Sequence, residues 1–449
     1  MIKEKSFYRS LAAIALPIAL QNIISFAVQM LDTIMVGKLG DYELSATSLA
    51  NQPFFVFTLL GFGLASGGAV LISQYWGRGN VEIVRRIMGI SVRAITVAAV
   101  FFMVVCQIFP TEIMSLMSKE APVIELGASY LRVVSFSYIF NGMSSCYMNS
   151  LRAVENVKLS TFTYAISFLV NGTFNYLFIF GKCGFPELGV VGAAIGTVIA
   201  RFVELAIVLV YSTFVENKVK FNFSYLFKRE KELLPDYIRT SIPVVGSELA
   251  WSMGTVVQAA IIGNIGSVFV SANSIAGVLQ QLAMVMMFGI GNAAAVEMGK
   301  TVGAGDFERA KKIGKTTLAL ALGAGIFACA LIFLLRTPML GLYNVSDETR
   351  ELVMQITTVM GIIMIGSGVE IVSIVGILRG AGDTKFAFAV DCGCTWGIGV
   401  LLGYLAGFVW HLPVLWVYVC LRADLPVRII LCLVRIFRGK YIKNVTRDV

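Results

Sequence analysis

The sequence predicts an all-α polytopic membrane protein: twelve transmembrane helices in two six-helix repeats around a central cavity. Three observations predict it. Of 449 residues, 57% are hydrophobic and only 14% charged, against roughly 45–50% and about 25% in ordinary globular domains. Apolar runs of about 20 residues or more, the length that spans a hydrocarbon core, recur along the chain. The second half also repeats the first at a nearly constant offset. Mean hydropathy is +0.81. A disordered chain, a coiled coil and a secreted disulfide scaffold are excluded.

In order, the expected spans run over 11–36, 44–76, 87–109, 122–149, 159–181 and 188–215. A polar, basic stretch over 216–235 follows, with Lys218, Lys220, Lys228, Arg229, Lys231 and Pro235. Six more spans run over 236–262, 270–299, 313–336, 351–378, 384–409 and 412–436, the last interrupted by Arg422, Asp424 and Arg428. The domain reading is an N-lobe over 1–220, a linker over 221–235 and a C-lobe over 236–449.

The net charge of +9 could suggest a nucleic-acid partner, but the basic residues sit in short loops between apolar runs. Arg78, Arg85 and Arg86 follow span 2, and Arg152 and Lys158 follow span 4. Lys300, Arg309, Lys311 and Lys312 follow span 8, Arg379 and Lys385 follow span 10, and the tail carries Arg435, Arg438, Lys440, Lys443 and Arg447. The alternate loops are acidic or poor in charge. The positive-inside rule then puts linker and both termini in the cytoplasm of a multi-pass plasma (inner) membrane protein, with the bilayer and not nucleic acid as partner. One histidine and eight scattered cysteines offer no zinc, haem or disulfide pattern and no enzymatic nucleophile–base set.

The halves align residue by residue. Pro17 matches Pro243, Gly37 matches Gly263, and the Gly77-Arg78-Gly79-Asn80 turn matches Gly303-Ala304-Gly305-Asp306, all 226 apart. Leu151-Arg152 matches Leu378-Arg379 at 227. Six helices per repeat keep both halves in one orientation, and paired membrane repeats around a midplane cavity mark secondary transporters. The Gly-x-Gly turns follow no strand and lack the Gly-Lys-Ser/Thr ending of a phosphate-binding loop.

Ionisable residues inside a span cost a few kcal/mol and need a reason. Gln21, Ser25, Gln29 and Asp32 share one face of span 1, within about 80° of arc. Asp32 reads as functional, or as a hydrated residue near the helix end. Asn171 and Asn175 lie four apart in span 5, and Thr197 follows a Gly189, Gly192, Gly196 series in span 6; interhelical hydrogen bonding is the alternative to a site. In the second half, Glu248, Trp251, Thr255 and Gln258 share one face of span 7, with Gln280 and Gln281 in span 8, Glu370 in span 10, and Asp391 and Trp396 in span 11. Carboxylates beside tryptophans suit a lipophilic cation, or else form a structural network. Arg201 and Glu204, three apart in span 6, are expected to pair with each other.

Pro17, the 29–37 run Gln-Met-Leu-Asp-Thr-Ile-Met-Val-Gly, the repeated Gly-x-Gly-Asn/Asp turns and the 378–385 run Leu-Arg-Gly-Ala-Gly-Asp-Thr-Lys resemble the multidrug and toxic compound extrusion (MATE) family over essentially the whole chain. The resemblance implies an antiporter exporting small organic, often cationic, compounds against inward H⁺ or Na⁺, acting as a monomer with no other cofactor. It implies cation coupling at Asp32, Asn171, Asn175 and Thr197, with Asp32, Asn171 and Asn175 holding the ion if it is Na⁺. Some relatives have Asp where this chain has Asn175, which removes one titratable group. Gln21, Gln29, Glu248, Trp251, Gln258, Gln280, Asp391 and Trp396 are the expected substrate contacts. The rival reading is a lipid-linked oligosaccharide flippase of the same superfamily, which would favour a more cationic cavity.

Overall fold

The computed structural model describes residues 1–228, 230–343 and 345–447; Arg229 of the basic linker and the last two residues of the tail lie outside them. The described chain is helical throughout its regular structure. The helices are α1 (Lys5–Gly37), α2 (Asp41–Gly77), α3 (Val81–Ile108), α4 (Ala121–Val134 and Ser137–Ala153, bent by 49°), α5 (Lys158–Phe180) and α6 (Gly189–Phe214). After the linker come α7 (Leu234–Ile265), α8 (Ser267–Gly303), α9 (Phe307–Leu340), α10 (Asp347–Arg379) and α11 (Thr384–Val409). Last is α12, in two pieces, Val414–Leu421 and Asp424–Phe437. Among the described residues ten helices are long and apolar enough to cross a membrane, eleven with bent α4 taken as one span. The break in α12 falls at Arg422 and Ala423, where charge interrupts the apolar run, and Asp424 and Arg428 beyond it are buried.

The chain divides into two compact units. One, the N-unit, holds Leu20–Ile72 and Val81–Ser241; the other, the C-unit, holds Met1–Ala19, Ser73–Asn80 and Ile242–Val449. The N-unit core is aromatic at its centre: Phe57 stacks on Tyr138 at 5.6 Å and tilts against Phe102 at 5.8 Å. The C-unit core gathers Phe269, Met287, Ile332, Met360 and Tyr418.

One feature of the C-unit explains repeated sequence. At the ends of α2 and α8 a Cβ on Gly77 would stand 2.0 Å from Lys300 O, and one on Gly303 1.9 Å from Gln74 O. Gln74 and Lys300 are themselves mates in the repeat, so the two glycines make one crossing with internal two-fold symmetry. Only glycine allows backbones this close. The tail is also ordered. Gln74 Nε2 donates to Lys443 O at 3.2 Å, Val445 N donates to Gln74 Oε1 at 2.9 Å, and buried Asp383 accepts from Arg435 Nε at 2.9 Å and Lys443 Nζ at 2.5 Å. Burial pushes the Tyr441 hydroxyl up to about 12.

In the N-unit the linker is likewise tied down. The Glu216 carboxylate accepts from the backbone N–H groups of Lys218, Val219 and Lys220, at 2.7, 2.9 and 2.6 Å. Arg86 Nε donates to Glu230 at 2.6 Å.

Candidate functional site

In the N-unit, α1, α5 and α6 bring together the first predicted group. Asn175 Nδ2 donates to Asp32 Oδ1 at 2.5 Å and to Asn171 Oδ1 at 3.3 Å. The i,i+4 spacing on α5 stacks the two amides on one face, and both are buried while Asp32 is half-buried. Asn175 Oδ1 is buried without a hydrogen-bond partner. It lies against α6 at Gly196, where a Cβ would stand 2.1 Å away, so that glycine makes room for the amide. Thr197, next along α6, donates its hydroxyl to Ala193 O at 3.0 Å, leaving its oxygen able to accept. The result is one carboxylate beside neutral oxygens, an arrangement that suits a proton or a small hard cation. Among the described residues no group of three or more His, Cys, Asp or Glu could hold a metal ion.

The rest of the α1 stripe divides. Gln29 is exposed. Gln21 is buried, donating from Nε2 to Ser160 Oγ at 2.9 Å and Thr161 Oγ1 at 3.0 Å and accepting from Arg152 Nη2 at 3.2 Å. Arg201 and Glu204 pair as expected, with Nη1 at 2.5 Å from Oε1.

The C-unit group is a network of charges. Arg379 Nη1 lies 2.7 Å from Glu248 Oε1 and its Nη2 3.4 Å from Asp391 Oδ2. Arg428 Nη1 lies 2.8 Å from Glu370 Oε1 and 3.7 Å from Asp391 Oδ1, while its Nη2 bonds Asp424 and, at 2.9 Å, Thr395 Oγ1. Trp396 Nε1 donates to Ala250 O at 3.1 Å. Trp251 is 45% exposed; Gln258 and Gln280 are half-buried and Gln281 is exposed. Predicted Glu248 and Asp391 are thus joined through one guanidinium, and four carboxylates face two arginines.

Sequence reasoning left both arginines out of the site. Arg379 reads as a cytoplasmic loop residue and Arg428 as an interruption of the last span, yet each is less than 10% exposed. Two signals pointed to them: the Asp424–Arg428 i,i+4 spacing, and the match of Arg379 with Arg152 across the repeat. The last part of α10, Val372–Arg379, is also π-helical, as are Thr395–Val400 and Leu405–Val409 of α11. A π turn changes which way the following side chains point, and periodicity at 3.6 residues does not foresee it.

The MatE family model matches residues 17–177 and 243–405, once per repeat. The chain is similar to the probable multidrug resistance protein YoeA of Bacillus subtilis, 25% identical over 95% of this chain and 93% of that protein. It is also similar to the probable multidrug resistance protein NorM of Agrobacterium fabrum, 24% identical over 90% and 88%. Its fold is similar to that of the Vibrio cholerae MATE transporter VcmN in the bent form, with a TM-score of 0.86, 16% identity and 97% of each chain covered. It is likewise similar to a MOP superfamily transporter from Pyrococcus furiosus, with a TM-score of 0.86, 17% identity, and 98% and 96% covered. With both repeats matched by one model and the coverage nearly complete, the chain belongs to the MatE family.

Proposed function

We propose that this protein is a secondary active antiporter that exports small organic compounds, cationic and amphipathic, in exchange for inward H⁺ or Na⁺ by alternating access. The observation that carries the reading is the half-buried Asp32 carboxylate held by Asn175, whose own carbonyl oxygen is buried without a partner. A proton on Asp32, or a Na⁺ ion shared by Asp32, Asn171 and Asn175 with the Thr197 hydroxyl in support, satisfies those oxygens. The ion drives transport only if it binds the two conformations with different affinity.

The substrate side rests on the C-unit. Its four carboxylates against two arginines leave an excess of negative charge, which with Trp251 and Trp396 suits a lipophilic cation through charge and cation–π attraction, with Gln258 and Gln280 as polar contacts. The lobes are 1–220 and 236–449 about a cytoplasmic linker, in a monomer of the inner membrane with both termini cytoplasmic. Reconstitution into proteoliposomes with inward H⁺ and Na⁺ gradients imposed separately tests this. Gradient-driven export of a cationic dye under at least one gradient is expected; no export under either contradicts antiport.

A further inference from the structure

α2 is shared between the two units: its residues up to Ile72 belong to the N-unit, and Ser73–Asn80 belong to the C-unit. Each part is gripped by its own unit. In the N-unit a Cβ on Gly67 would stand 2.4 Å from Ser241 Cα and one on Gly68 2.4 Å from Ser91 Oγ. Tyr237 Oη also donates to Leu64 O at 3.0 Å. In the C-unit a Cβ on Gly299 would stand 2.0 Å from Ser73 Oγ, beside the approach of Gly77 to Lys300.

The C-terminal tail adds a second grip on the same end of α2. The Gln74 side chain bonds the tail backbone on both sides of Asn444, donating to Lys443 O and accepting from Val445 N. The Tyr75 hydroxyl donates to Arg447 O at 3.3 Å and accepts from Arg447 N at 3.1 Å. Arg78 Nη1 donates to Thr446 Oγ1 at 3.1 Å. A side chain that both donates to and accepts from a passing backbone does what a paired strand would do, and it fixes the register of the tail. The tail is anchored elsewhere in the C-unit as well. Lys443 N donates to Ala381 O at 2.9 Å, Lys443 Nζ and Arg435 Nε hold buried Asp383, and Tyr441 is fully buried.

We propose that residues 443–447 form a strap that fastens the C-terminal end of α2 to the C-unit, so that α2 flexes between Ile72 and Ser73 when the units move. Every partner of the strap lies in the C-unit, so movement of that unit as a body breaks none of these bonds. The strap therefore stays closed through the transport cycle and makes the end of α2 travel with the C-unit. The proposal rests on the alternating-access reading and names one joint in it.

The test sets a locked strap against a cut one. Arg78→Cys with Thr446→Cys is joined by a bis-methanethiosulfonate linker, in a Cys183→Ser background that removes the exposed native thiol. The Gln74, Tyr75 and Asp383 bonds stay in place. In proteoliposomes the linked protein is expected to export a cationic dye within about twofold of its rate after dithiothreitol, as for a change at the surface. Gln74→Leu cuts both amide bonds with little change in size. Amide hydrogen exchange over Ser73–Asn80 should quicken by about tenfold, from the loss of two hydrogen bonds, while exchange in α5 stays unchanged. Export should slow by about threefold or more, as when a hinge is altered. Truncation after Ile442 should do the same more strongly; if the truncated chain fails to fold, Gln74→Leu decides. Loss of export on linking, restored by dithiothreitol, means that the strap opens and overturns the proposal. So does Gln74→Leu with either exchange or export at the wild-type level. If the wild-type protein exports under neither gradient, the antiport reading fails, and exchange over Ser73–Asn80 still decides whether the strap holds α2.

Discussion

The two units of this protein hold the same kind of element, a carboxylate inside a helical bundle, in opposite electrical settings. In the N-unit Asp32 is held by a neutral amide and has no cation hydrogen-bonded to it. In the C-unit Glu248, Glu370, Asp391 and Asp424 are laced to Arg379 and Arg428. A carboxylate bound by a neutral donor can exchange a proton or an ion with little rearrangement, whereas one locked to a buried guanidinium must break that pair first. The two repeats thus differ in which charges sit beside their acids.

The largest effect should follow removal of a C-unit cation. Arg428→Gln leaves Glu370 and Asp424 buried without a partner and should cost about 3–5 kcal/mol, read as a lower midpoint of denaturant unfolding in detergent micelles. Recovery of part of that loss by adding Asp424→Asn would sharpen the assignment; wild-type stability of the single variant would break it.

The repeat mates provide a paired test. Arg379→Gln should destabilise by about 3 kcal/mol or more because Glu248 loses its cation and Asp391 keeps only Arg428, at 3.7 Å. Arg152→Gln should cost about 1 kcal/mol or less, the value of one hydrogen bond to an amide. Equal losses would mean that the difference in partners has no energetic consequence.

Smaller again is the crossing in the C-unit. Gly303→Val forces a side chain against Gln74 O and should cost about 1–3 kcal/mol through overpacking, with Gly77→Val close behind by symmetry. Gly323, with nothing within 4 Å of an added Cβ, is the control: Gly323→Ala should change stability by less than about 1 kcal/mol. A tolerated Gly303→Val would mean the close approach is not a constraint.

The sequence carries the architecture because hydropathy and the 226-residue offset report the two strongest constraints on a membrane chain, span length and repetition. It carries the Asp32–Asn171–Asn175 group because helical spacing puts the amides on one face, and the Arg201–Glu204 pair because three residues make nearly one turn. The buried roles of Arg152, Arg379 and Arg428 are harder to read. A long side chain at a helix end can reach into solvent or back into the bundle, and which it does depends on partners over 50 residues away, as Glu370 is for Arg428. The π-helical stretches of α10 and α11 leave no mark on composition. The ordered tail hides in plain sight for the same reason: Lys443 looks like one more cytoplasmic cation until Asp383, 60 residues earlier, is placed beside it.

The central claim is that Asp32 couples an ion gradient to export. Asp32→Asn keeps the size of the side chain and one oxygen while removing the charge, so insertion and folding should survive. In proteoliposomes with an inward H⁺ or Na⁺ gradient, the variant should lose gradient-driven export of a cationic dye under both gradients while still binding the dye. Export by Asp32→Asn at the wild-type rate under either gradient would contradict the assignment.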